Sequence, residues 1–146
     1  MRLLIQRVKE AKVIVNTQVC GHIGPGLLVF LGVHKNDTPD TMGWLIKKLV
    51  SLRIFSDQDQ KMNLDIGQAQ GDILVVSQFT LYGSCVNGNR PEFTEVALPE
   101  PAFLLYEEFI QELSQALGKP VQTGIFGALM EVSLINDGPV TFLLER

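Results

Sequence analysis

The sequence predicts a single sheet-rich α/β domain spanning residues 1–146, with two main helices and a three-layer α/β/β arrangement. Three observations carry this prediction. Short β-rich runs outnumber helical stretches, only two segments have the apolar spacing of an amphipathic helix, and no linker or internal repeat divides the chain. A domain of this size buries roughly 70% of the surface its unfolded chain exposes, enough for one real core. So few helices can cover only one side of the sheet, so sheet must pack on sheet elsewhere.

The elements follow in order. Residues 3–8 and 11–15 are short β-rich runs, and Gly26 to Val33 is an apolar stretch expected to be a strand buried on both faces. Thr38 offers an N-cap with Pro39 at the first helical position, after which Met42, Leu45, Ile46 and Leu49 recur at helical spacing. Leu52 to Phe55 is a strand candidate followed by a polar turn, and Asp72 to Gln78 is the next strand. After a glycine-rich loop at 87–91, Leu105, Phe109 and Leu113 mark one face of a second helix over 101–117, with Gly118 and Pro120 as stop signals. The remainder reads as strands at 121–123, 129–135 and 140–144.

Composition excludes several function classes. A hydrophobic fraction of 46% with 19% charged residues is that of a soluble globular protein. The longest apolar runs fall far short of the ~20 residues of a membrane helix, and the chain starts without a cleavable signal pattern, so a cytoplasmic location is expected. Cys20 and Cys85 show no metal or disulfide spacing and are expected to be free thiols, buried or partly so. With 12 basic and 16 acidic side chains the net charge is −4, so any contact with nucleic acid must be local. Lys9, Lys12, Lys47, Lys48 and Arg90 are the candidates, each with a solvated surface role as its ordinary reading.

Two segments concentrate the chemistry. Ser77-Gln78-Phe79-Thr80-Leu81 directly follows the apolar run 73–76, so its amides emerge at a strand end, where free N–H groups can polarise a carbonyl. With extended backbone, Ser77 and Phe79 would point to one side and Gln78 and Thr80 to the other. Polar caps on a strand end are the purely structural alternative. Asn136-Asp137-Gly138-Pro139-Val140-Thr141 puts a proline between two β-rich runs, where a ladder donor is lost at an edge, a bulge or a functional kink. A nucleophilic Ser77 or Thr80 would need a base, yet the two histidines lie in a turn-like stretch (His22) and at a strand end (His34). Neither a metal set nor a cofactor motif is present, so none is expected.

Taken together, these residues resemble the D-aminoacyl-tRNA deacylases, which hydrolyse D-amino acids from mischarged tRNA. The likeness runs the length of the chain in an ordered series: Ile5-Gln6-Arg7-Val8, Gly26-Leu27-Leu28-Val29, Arg53-Ile54-Phe55-Ser56-Asp57, Lys61-Met62-Asn63-Leu64, the 77–81 segment, Arg90-Pro91, Gln122-Thr123-Gly124 with Met130, and the 136–141 segment. The resemblance implies a homodimer in which a cis Gly138–Pro139 step of one subunit enters the pocket of the other. It implies that this step excludes L side chains, so that D-aminoacyl groups and glycine, including glycine mischarged on tRNA-Ala, are accepted. Arg7 would orient the Gly-Pro carbonyls and Met130 would line the pocket. Ser77, Gln78, Phe79 and Thr80 would form the catalytic turn, with backbone amides holding the oxyanion while the 2′-hydroxyl of the terminal adenosine assists. The partner so implied is the acceptor end of aminoacyl-tRNA, and no cofactor is required. The 84–90 loop departs from the pattern in being poor in basic residues, which predicts modest, salt-sensitive tRNA affinity. Two rivals are a nonselective Ser/Thr esterase and a noncatalytic tRNA-binding dimer.

Overall fold

A computed structural model describes all residues 1–146. Its strands are β1 (Arg2–Val15), β2 (Gln18–Ile23), β3 (Gly26–Gly32), β4 (Phe55–Ser56), β5 (Met62–Leu64), β6 (Asp72–Ser77), β7 (Gln122–Thr123) and β8 (Glu131–Glu145); its α-helices are α1 (Met42–Val50) and α2 (Pro99–Leu117). Six strands form one sheet in the order β2-β1-β3-β6-β7, with β8 on the other side of β1, while β4 and β5 make a separate ribbon. The β3–β6 and β6–β7 pairs are parallel and the pairs made by β1 are antiparallel.

The two expected N-terminal strands are one strand. Lys9 and Glu10 interrupt the apolar pattern, but both are exposed and β1 continues through them, paired with β8 from Arg2↔Glu145 to Ile14↔Glu131. β2 takes in Gly21, His22 and Ile23 of the stretch read as turn-like around His22, and the turn before β3 is confined to Gly24 and Pro25. Asn16 and Thr17, at φ 49° and 67°, form the two-residue connection that matches the twist of a hairpin. Gly21 lets β2 approach β7, since a Cβ there would stand 2.4 Å from the Thr123 carbonyl oxygen. The sheet therefore curls, barrel-like, around a cluster of Val8, Ala11, Val13, Ile23, Leu28, Leu74 and Val76.

The opposite face carries the main core. Leu3, Ile5, Leu27, Val29, Leu31, Ile73 and Val75 alternate inward and meet Leu45 and Leu49 of α1 and Leu105, Phe109 and Leu113 of α2. β3 is buried along both faces, as its unbroken apolar run requires. Pro39 opens a short 3₁₀ turn over Pro39–Thr41, and α1 starts after it, so Thr38 caps no α-helix and makes no side-chain capping bond. α2 begins two residues earlier than its periodicity suggested, with Pro99 in its first turn, and ends at Gly118 in the left-handed conformation at φ 74°. The strand expected at 52–55 is only Phe55–Ser56, paired with Met62–Leu64. Cys20 is half-buried, as expected, whereas Cys85 is exposed, against the expectation that it is buried or partly so. No helix is long and apolar enough to cross a membrane.

Candidate active site

The 77–81 segment is not extended. β6 stops at Ser77 and the chain turns through one 3₁₀ turn, Phe79–Tyr82, so the alternation expected for Ser77 to Thr80 ends at the first of them. Gln78 N still donates to Leu31 O at 2.8 Å, which ties the start of the turn to the end of β3. Gly32 makes room for it, because a Cβ there would lie 3.0 Å from Leu81 Cβ. Within the turn, Leu81 N donates to Gln78 O (3.3 Å) and Gly83 N to Thr80 O (2.9 Å). The Phe79 and Thr80 amides precede the first of these bonds, the position at which a helical turn leaves its donors free. Ser77 and Gln78 are half-buried, Phe79 is 55% exposed and Thr80 is exposed.

Side chains around the turn bear on its chemistry. Gln78 Nε2 donates to Thr80 Oγ1, and a carboxamide cannot accept the proton that a nucleophilic hydroxyl must lose. His34 is committed elsewhere: its Nδ1 accepts from Asn36 N at 3.2 Å, and its Nε2 lies 3.0 Å from Glu95 Oε2. The ring must therefore donate to Glu95 through Nε2–H, leaving no nitrogen for Ser77 or Thr80. His22 sits exposed in β2, paired in register with Lys12.

Several supporting residues were not read from the sequence. Phe93 meets Phe79 edge-on at 5.1 Å. Its loop is held to the end of β3 by Lys35 N donating to Glu95 O (3.0 Å) and by Lys35 Nζ at 2.9 Å from Glu95 Oε1. Lys35 and His34 hold the Glu95 carboxyl below its usual range. Behind the turn, Arg2 Nη1 donates to Leu81 O at 2.7 Å and its guanidinium lies 4.4 Å over the Tyr82 ring. Burial, with Asp37 and Glu145 adding repulsion, pushes the Tyr82 phenol up. Nothing in the 84–98 stretch has a strand or helix period, so only the isolated aromatic Phe93 could have drawn attention to it.

The second segment is a bulge within one strand. Between the pairs Gln6↔Thr141 and Val8↔Asn136, β1 spends Arg7 alone while β8 spends Asp137, Gly138, Pro139 and Val140. Val140 turns into the main core, whereas Gly138 and Pro139 are exposed and joined by a cis peptide bond. Arg7 continues the inward alternation of Leu3 and Ile5 and is only 8% exposed. Its Nη1 donates to Ile54 O, and its Nε lies 2.8 Å from Asp137 Oδ2. That approach is an ion pair without hydrogen-bond alignment, since Nε has no hydrogen-bond partner. Gln6 Nε2 donates to Asn136 Oδ1 at 3.0 Å and fixes the other shoulder of the bulge. Met130, just before β8, packs on the second cluster with Leu74 and Val76, beside the strand that ends at Ser77.

The structure thus brings Ser77, Gln78, Phe79 and Thr80 together, and Arg7 with Gly138 and Pro139, but keeps the two groups apart. Ser77 shares a row with Leu31 and Leu3, four residues from Arg7, and three strand spacings separate β6 from β8. Strand geometry makes the separation on the order of 20 Å.

The curled α/β sheet thus ends, at β6, in a turn whose leading amides can polarise a carbonyl oxygen. The chain belongs to the D-Tyr-tRNA(Tyr) deacylase family, whose model matches residues 4–145. It is 52% identical over 145 residues to the D-aminoacyl-tRNA deacylase of Protochlamydia amoebophila, covering 99% of this chain and 95% of that one. It is 54% identical to the D-aminoacyl-tRNA deacylase of Thermotoga petrophila, covering 99% and 97%. Among solved structures, one described as a c-Myc DNA unwinding element binding protein superposes with a TM-score of 0.93 at 37% identity, over 100% and 99% of the two chains. A probable eukaryotic D-amino acid tRNA deacylase shares the fold at a TM-score of 0.84 and 19% identity, over 98% and 97%.

Proposed function

We propose that the protein hydrolyses the ester joining a D-amino acid to the 3′ end of tRNA, releasing the free amino acid and tRNA and sparing L-aminoacyl-tRNA. The observation that carries this reading is the Phe79–Thr80 turn, with its leading amides free and its hydroxyl bound to a carboxamide instead of a base. Water adds to the ester carbonyl, the bond from carbon to the ribose oxygen breaks, and that oxygen takes up a proton. The Phe79 and Thr80 amides stabilise the oxyanion, and the neighbouring 2′-hydroxyl of the terminal adenosine assists the proton movement. An aminoacyl ester is already activated, so no covalent protein intermediate is needed.

Chirality is read by a second copy of the chain. Gly138 and Pro139 of one copy reach the Phe79–Thr80 turn of the other, and their carbonyls receive the substrate's α-ammonium so that an L side chain meets backbone. The filter works by exclusion, so glycine, including glycine on tRNA-Ala, also enters. Two features support the dimer. The two segments stand too far apart in one chain to share a substrate, and β8 has only β1 as a neighbour. Its free edge runs fifteen residues with Ile135, Phe142 and Leu143 exposed, the kind of edge proteins ordinarily cover.

Matched D-tyrosyl-tRNA and L-tyrosyl-tRNA test the reading by release of amino acid. Rapid loss of the D ester with the L ester intact is expected. Equal loss of both indicates a nonselective esterase, and loss of neither a noncatalytic tRNA-binding dimer. Replacing the terminal 2′-hydroxyl with hydrogen is expected to slow release by orders of magnitude, which a protein-borne nucleophile would not require.

A further inference from the structure

Away from the turn, α1 presents a half-exposed indole with two cations against its ring. Trp44 is 40% exposed, Lys48 Nζ lies 5.9 Å from its ring centroid and Arg146 Cζ lies 5.5 Å from it. The ion pairs of the chain occupy Arg2, Arg7, His34, Lys35, Lys119 and the Met1 ammonium, and none takes Lys47, Lys48 or Arg146. No acidic side chain pairs with these exposed cations, in a protein whose net charge is −4. The chain links the group to the candidate catalytic turn through two residues: Arg146 N donates to Met1 O at 3.1 Å, and Arg2, the residue after Met1, donates to Leu81 O at 2.7 Å.

We propose that Trp44, Lys48 and Arg146 form a phosphate clamp for the backbone of the substrate's acceptor strand. The inference rests on the deacylase reading and supplies local basic contacts beyond Arg90, the one basic residue of the 84–90 loop. A cation held against an indole face gives up less side-chain freedom when it meets a phosphate than one free in solvent. Two such cations on one ring, linked through Met1 and Arg2 to the turn that would take the aminoacyl end, match a strand of regularly spaced phosphates. Trp44 acts as a positioning residue, and Lys48 and Arg146 make the contacts.

The test compares KM for D-tyrosyl-tRNA across salt concentrations with cleavage of 3′-O-(D-tyrosyl)adenosine, which has no phosphates. Lys48→Ala and Arg146→Ala are each expected to flatten the log–log salt slope by about 0.7–0.9 and to raise KM several-fold at low salt. Trp44→Ala raises KM with a smaller change in slope. All three cleave the adenosine ester as the wild type does, which also reports that they are folded. Lys119→Ala is the control, because Lys119 pairs with Asp72 at the far end of β6 and should leave the slope unchanged. Slopes that match wild type in the Lys48 and Arg146 variants, or equal losses on both esters, overturn the clamp. If the wild-type protein cleaves neither ester, the deacylase reading falls, and equilibrium binding of uncharged tRNA across salt still decides the clamp by the same slopes.

Discussion

At the scale of single residues, the proposed site divides into groups that would touch the ester and groups that would hold them. Thr80 is the clearest case. Its hydroxyl receives the Gln78 amide and faces no base, so Thr80→Val is expected to lower kcat by less than about tenfold, or ~1.4 kcal/mol. A fall of about 10⁴ in single-turnover hydrolysis, the scale of losing a true nucleophile, would restore the covalent route. Arg7 is proposed to hold the bulge, through Ile54 O and Asp137. Arg7→Met leaves the Ile54 carbonyl and the Asp137 carboxylate without their cation, and is expected to cost about 1–3 kcal/mol in urea unfolding and to lower D-over-L selectivity. Tyr106, in the main core, donates to Val75 O at 3.1 Å, and burial, with Glu107 adding repulsion, pushes its phenol up to about 12. Because this acid is raised above its unfolded value near 10, the fold favours the neutral form. Stability is full below pH ~10 and falls as pH rises toward 12. Val75 O also accepts Gly124 N, so Tyr106→Phe should cost only ~0.5–1.5 kcal/mol and should soften that alkaline loss.

At the scale of elements, the stretch at 92–97 matters more than its irregular backbone suggests. It carries Phe93 onto Phe79 and is held by Glu95 against His34 and Lys35. The Glu95 carboxyl is lowered in the fold, so its holding effect is present above the usual carboxylate range and is lost as pH falls through the folded value. Glu95→Gln is therefore expected to lower the hydrogen-exchange protection factors at 93–97 at neutral pH, the loss of order expected of the wild type only where Glu95 is protonated. Unchanged protection in the variant would assign the loop's order to the Phe79–Phe93 contact alone. Helices were legible because their periodicity is local: Met42, Leu45, Ile46 and Leu49 are all buried, as are Leu105, Phe109 and Leu113. Strands were less so. β2 carries Gly21 and His22, which read as turn residues, and only its pairing with β1 makes them a strand.

At the scale of the whole molecule, the long edge of β8 and the distance between the two motifs both favour the proposed second copy. Phe142→Lys with Leu143→Lys should shift sedimentation from a dimer to a monomer and abolish D-tyrosyl-tRNA hydrolysis while leaving far-ultraviolet circular dichroism unchanged. A doubly substituted protein that stays dimeric would move the interface elsewhere; an active monomer would place both motifs of one chain on a single substrate.

The sequence by itself determined the class of fold, both helices, the apolar strands β3 and β6, and the residues of both motifs, because helical period, apolar runs and short ordered motifs are written in neighbouring positions. Only the tertiary structure decided that Ser77 ends a strand and Phe79 begins a turn with free amides, since that depends on Gln78 docking on Leu31 and on the room Gly32 leaves. It also decided that four residues of β8 bulge opposite Arg7, and that the N-terminal runs join into one strand. Register and bulges are set by hydrogen-bond partners more than a hundred residues away, and no local pattern records a partner at that distance.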